Sequence, residues 1–151
     1  MTTEQLKALT LDGFERMFNS GDLDFVDKAV ATGAVDHQEP AGTDFAAHLK
    51  HVISTLRAAF PDLHFDVHEL VAEGDLVACR STMTGTHQGP LLIGPLAGLA
   101  VNGTRIEVPH MHFFRYDAEG RVTDLWHVWN TLVLARQLGA PAPDLSVGAA
   151  A

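Results

Sequence analysis

A chain of 151 residues that is 46% apolar and 19% charged can bury one sizeable core, the usual size of a single soluble domain. Its formal charge of −9 argues against nucleic acid and against an anionic membrane surface, since both need clustered Lys and Arg to displace counterions, and leaves small uncharged organic molecules open. No apolar run approaches the length of a bilayer crossing, and Met1-Thr2-Thr3-Glu4-Gln5 lacks the basic start and apolar stretch of a signal peptide, so a cytoplasmic protein is expected.

Thr2 and Gln5 hold capping-box positions before Leu6, Leu9, Phe14, Met17 and Phe18, whose spacing predicts an amphipathic first helix broken at Ser20-Gly21. Asp22 caps a short second helix carrying Leu23, Val26 and Val30, ended by Gly33, and a brief extended piece follows from Ala34 to Gln38. Thr43 is the expected cap of a third helix with the stripe Phe45, Leu49, Val52, Ile53, Leu56 and Phe60, stopped by Pro61. His48 and His51 fall off that stripe and read as solvent-exposed.

From Leu63 the period becomes two. Leu63, Phe65, Val67 and Val71 alternate with polar residues, which places His64 and His68 on a surface, and Glu73-Gly74-Asp75 makes a hairpin turn into a strand from Leu76 to Thr86. Cys79, the single cysteine, lies in that strand and reads as a small buried hydrophobe. His87 belongs to a turn. The connection from Gly89 to Gly103 is uncharged and rich in leucine, which suits a cover over a cavity or a subunit interface better than a solvent-facing loop. Two long strands follow, from Ile106 to Tyr116 and from Val122 to Asn130. Asn130 then caps a last short helix with Leu132, Leu134 and Leu138, and the domain is expected to span residues 1–140, with a disordered tail over 141–151. Helices first and strands afterwards give an α+β domain, a curved antiparallel sheet covered by helices and shaped as a cone with a pocket inside.

The last two strands carry the candidate chemistry, because titratable side chains sit among apolar ones at positions of equal parity. If Gly120 takes the left-handed position of a bulged turn, Asp117 faces Arg121 and even residues meet even residues. His112 then faces Trp126, and Asp124 lies between Phe114 and Trp126, where the aromatic walls raise its pKa and a nearby imidazole pulls it back down, which suits a general base. A turn without the bulge puts His127, not Trp126, on the face with His110. Read separately, Asp124 is a water-facing strand carboxylate and His110 and His112 are core histidines; their coincidence on one face raises the functional reading. His110-x-His112 presents two metal ligands but no third, and no metal is expected. His37 lies at the mouth of the helical layer. Neither a nucleophile elbow nor a phosphate-cradling loop occurs.

Several segments together resemble the SnoaL-like polyketide cyclases of the nuclear transport factor 2-like superfamily. They are Asp36-His37, the stretch Gly85-Thr86-His87-Gln88-Gly89, Val108 through Arg115, Gly120 through Trp126, and Arg136-Gln137-Leu138-Gly139. The resemblance runs from Leu6 to Gly139. It implies a cone-shaped α+β barrel, a homodimer packed through the outer face of the sheet, no cofactor, and ring closure of an aromatic polyketide ester by an intramolecular aldol reaction. The family's acid/base carboxylate maps onto Asp124, and its pocket histidines map onto His37 and onto His110 or His112. His127 and Asn130 depart from the pattern, standing where relatives often carry acidic residues.

On that reading Asp124 removes a proton between two carbonyls and later returns one to the new alkoxide. His110 or His112 hydrogen-bonds the oxyanion, and Trp126, Phe114 and Phe14 wall a flat apolar or aromatic molecule. An isomerase or hydrolase on the same scaffold, or a non-catalytic binding or dimerisation module, are the alternatives.

Overall fold

The period-two stretches assemble into one five-stranded sheet. The computed structural model describes residues 1–93 and 96–140; the expected tail over 141–151 lies outside the described residues. Strands β1 (Val30–Asp36), β2 (His64–Glu73), β3 (Leu76–Thr86), β4 (Arg105–Tyr116) and β5 (Val122–Trp129) lie in the order β1-β5-β4-β3-β2. Strands β2 to β5 pair antiparallel, and β1 joins the edge of β5 in parallel. The sheet is open and curved, and the chain opens on helices, as the expected α+β class requires. Helix α1 (Thr3–Gly13) packs on β2 and β3, and α3 (Phe45–Ala59) on β1. Their apolar stripes meet the inward rows of the strands in two adjoining clusters, one around Phe14, Phe60, Met83 and Val108, the other around Val26, Ile53, Val77 and Leu125.

Local signals set most helix starts. The Thr2–Gln5 capping box opens α1, Asp22 accepts from Phe25 N at 3.2 Å, and Asn130 accepts from Val133 N at the start of α4 (Thr131–Gln137). Asp44 rather than Thr43 caps α3, accepting from Ala47 N at 3.1 Å, because its side chain stands at the first non-helical residue. The expected second helix is shorter: a 3-10 turn (Leu23–Phe25) and α2 (Val26–Ala29) end before Val30, which already belongs to β1. Beyond Gly13 the first helix widens into a π-helical turn from Phe14 to Asn19, an irregularity that recurs at functional sites. Asn19 anchors this turn to β2 by accepting from Phe65 N at 2.7 Å, and Arg57 donates to the Phe18 and Asn19 carbonyls. Phe14 and Phe18 are thereby fixed over the inner face.

The β4–β5 hairpin decides which residues share a face. Its turn follows the expectation, with Gly120 at φ 80° and Asp117 N donating to Arg121 O at 2.9 Å. Tyr116 then pairs with Val122, but Arg115 pairs with Asp124, so Thr123 is an extra residue without a partner. This second bulge reverses the parity for the rest of the strand. His110 faces Trp129, His112 faces His127 and Phe114 faces Leu125 on the inside, while Asp124 and Trp126 turn outward beside Arg115 and Phe113.

The connection after β3 is partly core. Leu91 and Leu96 are buried, Ile93 borders the cavity described below, and Leu92 and Val101 remain exposed. His87 has a fully buried ring, 5.6 Å from the Phe60 ring, and its backbone N–H donates to Thr104 O. It does not border that cavity.

Candidate active site

Between the inner face of the sheet and the helices lies a cavity of about 360 Å³. Its walls are mainly apolar, with Phe14, Phe18, Val52, Leu56, Phe65 and Ile93 among them. Such a space suits a compact, mostly apolar ligand held by few polar groups. Apart from the exposed Lys28 and Glu119, the titratable groups on its wall include four imidazoles and two carboxylates: His110 and His112 from β4, His127 from β5, His48 from α3, Asp36 from the end of β1 and Glu39 from the turn beyond it.

His110 and His112 lie side by side, with ring centroids 5.6 Å apart. Phe65 meets His110 edge-on at 5.1 Å, and His112 is held between Phe14 and Phe114. Burial drives the His110 pKa down to about 3, helped by His127, and pushes His112 well below the ordinary value with help from His110 and His127. Both rings are therefore neutral at physiological pH. Among the described residues, His110 Nε2 and His112 Nδ1 are buried without a hydrogen-bond partner, an unfavourable state that a ligand's polar atoms would relieve.

His127 Nε2 stands 3.3 Å from Asp36 Oδ2, and the His127 ring stacks over His112 at 5.9 Å. Asp36 is buried, which works to raise its pKa. Hydrogen bonds from His127 and from Gln38 N outweigh that and hold the carboxyl below its ordinary value. Gln38 also fixes β5 by accepting from His127 N at 2.5 Å. Across the mouth, His48 Nε2 lies 3.2 Å from Glu39 Oε1. Deeper in, Tyr116 and Thr10 share a 2.7 Å hydrogen bond, and burial raises the phenol to about 12.

The sequence-predicted residues divide between the two faces. Phe14, His110, His112 and Phe114 line the cavity together. Asp124, Trp126 and His37 do not, because the Thr123 bulge sends the outer row of β5 away from it. On the outside Asp124 Oδ1 lies 2.9 Å from His37 Nε2, and the His37 ring stacks on Trp126 at 4.4 Å. The rise expected from aromatic walls does not govern Asp124, and the expected downward pull of an imidazole comes from His37. The His37 hydrogen bond lowers the pKa, partial burial opposes this, and Thr123 and the nearby Arg115 charge lower it further. Asp36, Glu39, His48 and His127, which the sequence pattern does not single out as site residues, join the cavity wall. The signal for His127 was the alternative register of the hairpin; the off-stripe position of His48 pointed the other way.

Among the described residues, Asp36, Glu39 and His48 form the group whose ligand atoms could meet on a metal ion, all within 4.8 Å of one another. His110 and His112 acquire no third ligand there. Cys79 is buried opposite His112 in the sheet, and burial raises its thiol to about 11, so it is a poor nucleophile.

Residues 8–138 match the family model of the SnoaL-like polyketide cyclases. No curated protein sequence matches the chain. Among solved structures it is similar to TsrD from Streptomyces laurentii, at 25% identity and a TM-score of 0.80, covering 93% of this chain and 99% of that one. It is also similar to AclR from Streptomyces galilaeus, a proposed hydroxylase, at 28% identity and a TM-score of 0.76 over 91% and 98% of the two chains. IdmH from Streptomyces antibioticus, a proposed polyketide cyclase, is 29% identical with a TM-score of 0.73 over 90% and 99%.

Proposed function

The chain belongs to the SnoaL-like polyketide cyclase family, and from that premise we propose that it closes a ring in a polyketide ester by an intramolecular aldol reaction, with His127 as the general base. The observation that carries this is the Asp36–His127 couple on the wall of an apolar cavity, next to two neutral imidazoles with unpartnered nitrogens. A carboxylate accepting from His127 Nε2–H selects the tautomer in which Nδ1 is basic, and it stabilises the imidazolium once a proton arrives. Such a base suffices for a carbon acidified by a neighbouring carbonyl, whose anion is an enolate.

Negative charge then develops on oxygen. His110 and His112 answer it as neutral N–H donors, which need no proton transfer to act and are held rigidly by the surrounding rings. Phe14, Phe18 and Phe65 offer flat apolar surface to an aromatic substrate. The base assigned from the sequence, Asp124, gives way in this reading to His127, because only the latter reaches the cavity. The functional unit is a homodimer joined through the outer face of the sheet.

The test uses an anthraquinone bearing adjacent 3-oxobutanoyl and methyl acetate arms. In heavy water the enzyme is expected to exchange the ester methylene protons faster than buffer does and to convert the probe to its ring-closed isomer. His127→Gln should lower both rates by about 10²-fold or more. Exchange without closure in the wild type would favour an isomerase; neither, with the probe bound, would favour a binding module.

A further inference from the structure

We infer that the cavity holds a second proton-transfer couple, His48 with Glu39, and that His48 protonates the alkoxide formed as the ring closes. The inference rests on the cyclase reading and supplies the acid which that reading lacks.

The four imidazoles of the cavity fall into two classes. Among the described residues, His110 and His112, both almost wholly buried, have no carboxylate within ion-pair distance, so they hydrogen-bond but do not carry protons. His127 and His48 each face a carboxylate, Asp36 at 3.3 Å and Glu39 at 3.2 Å, and their side chains keep 22% and 28% of their exposure. A carboxylate within ion-pair distance gives each ring a partner along which a proton can pass, and partial exposure lets water reach it. Lys28 and Glu119 also border the cavity, but both are exposed.

The couples come from different parts of the fold, His127 from β5 and His48 from the first turn of α3, and they converge through β1 and the turn after it. The polar atoms of Asp36, Glu39 and His48 lie within 4.8 Å of one another, a gap that one bridging water spans. In the cycle, His127 Nδ1 takes the proton from the carbon beside the ester, and the C–H electron pair becomes the enolate. The enolate carbon bonds to the ketone carbon, whose π electrons move to oxygen. His48 gives that oxygen its proton. The proton on His127 then passes by way of Asp36 and Glu39 to His48, so no proton is gained or lost and the product is an isomer of the substrate.

The two readouts of the anthraquinone probe separate the roles. His48→Gln is expected to keep ester-methylene exchange within about twofold of wild type while ring closure falls by about 10²-fold. Glu39→Gln should shift the same ratio in the same direction by less, and His127→Gln should lose both activities. Ring closure by His48→Gln at the wild-type rate overturns this inference and leaves the cyclase reading standing. Equal loss of exchange and closure overturns it too, reassigning His48 to binding. A wild type that does neither removes both readings.

Discussion

His127 faces inward beside His112, whereas Asp124, three positions earlier, points to the other side of the sheet beside Arg115. A side chain acts on a ligand only within hydrogen-bond reach of it, so the two positions make opposite predictions. Asp124→Asn should leave ring closure of the anthraquinone probe within about threefold of wild type, while His127→Asn lowers it by about 10²-fold or more. Asp36→Asn should fall between them, since the amide still orients the ring but no longer stabilises its charge. Steady-state rates of the three variants decide the matter, and a large loss in Asp124→Asn would return the base to that residue. The inward placement of His110, His112, Phe14 and Phe114 was legible because alternation along β4 and the stripe of the first helix each fix a face. That of Asp124, Trp126 and His37 was not, because one unpaired residue at Thr123 reverses a whole row and leaves no mark in hydrophobicity. Asp36, Glu39 and His48 were hidden for another reason: each is polar and looks like surface until β1, its turn and α3 are packed together.

On β4, two imidazoles are kept neutral by burial, and this ties stability to pH. A histidine whose folded pKa lies below its unfolded value of 6.5 takes up protons on unfolding, so the unfolded state gains as pH falls. Stability contributed by the neutral pair is therefore complete above pH 6.5 and is lost progressively as pH drops towards about 3, the folded value for His110. Each group contributes a slope of about 1.4 kcal/mol per pH unit inside that window. Urea titrations at pH 7, 6 and 5 should show midpoints falling steadily, and His110→Phe should flatten the fall by roughly half. A pH-independent midpoint would mean that the pair is not held neutral. The helix α3 that feeds the other side of the cavity is met at its C-terminal end by Gly89, from the connection after β3. The Gly89 backbone N–H donates to Ala59 O at 3.1 Å, and a Cβ placed there would collide with the Ala58 carbonyl oxygen. Gly89→Ala should cost about 2 kcal/mol or more, seen as a lower urea midpoint, because the obstacle is backbone and cannot swing away. Element types were legible from period and caps. The lengths of the second helix and of β1 were not, since pairing with β5 draws Val30 out of the helix.

At the scale of the whole molecule, the outer face of β4 and β5 poses a question that the cavity does not answer. Met111, Phe113 and Val128 are 59%, 47% and 71% exposed, and pairing places Met111 beside Val128 and Phe113 beside Trp126. Single exposed apolar residues are ordinary, but a contiguous row of them marks an interaction surface. A second copy of the same chain suits it: an apolar row can meet its own copy about a two-fold axis, and an apolar contact lets two chains of charge −9 meet without opposing their acidic surfaces. The His37–Asp124 pair and its stacked Trp126 stand at the edge of that row, where they stiffen β1 against β5. Light scattering coupled to size exclusion should therefore return about twice the chain mass of 16.3 kDa. Phe113→Glu combined with Val128→Glu should return the single mass, because like charges placed opposite each other at a desolvated contact cost several kcal/mol. Both substitutions point away from the cavity, so the variant should keep its far-ultraviolet circular dichroism and its exchange activity on the anthraquinone probe. A variant that stays dimeric would place the interface elsewhere. One that becomes monomeric and loses exchange as well would show that the outer face holds β5, and with it His127, in register with the site.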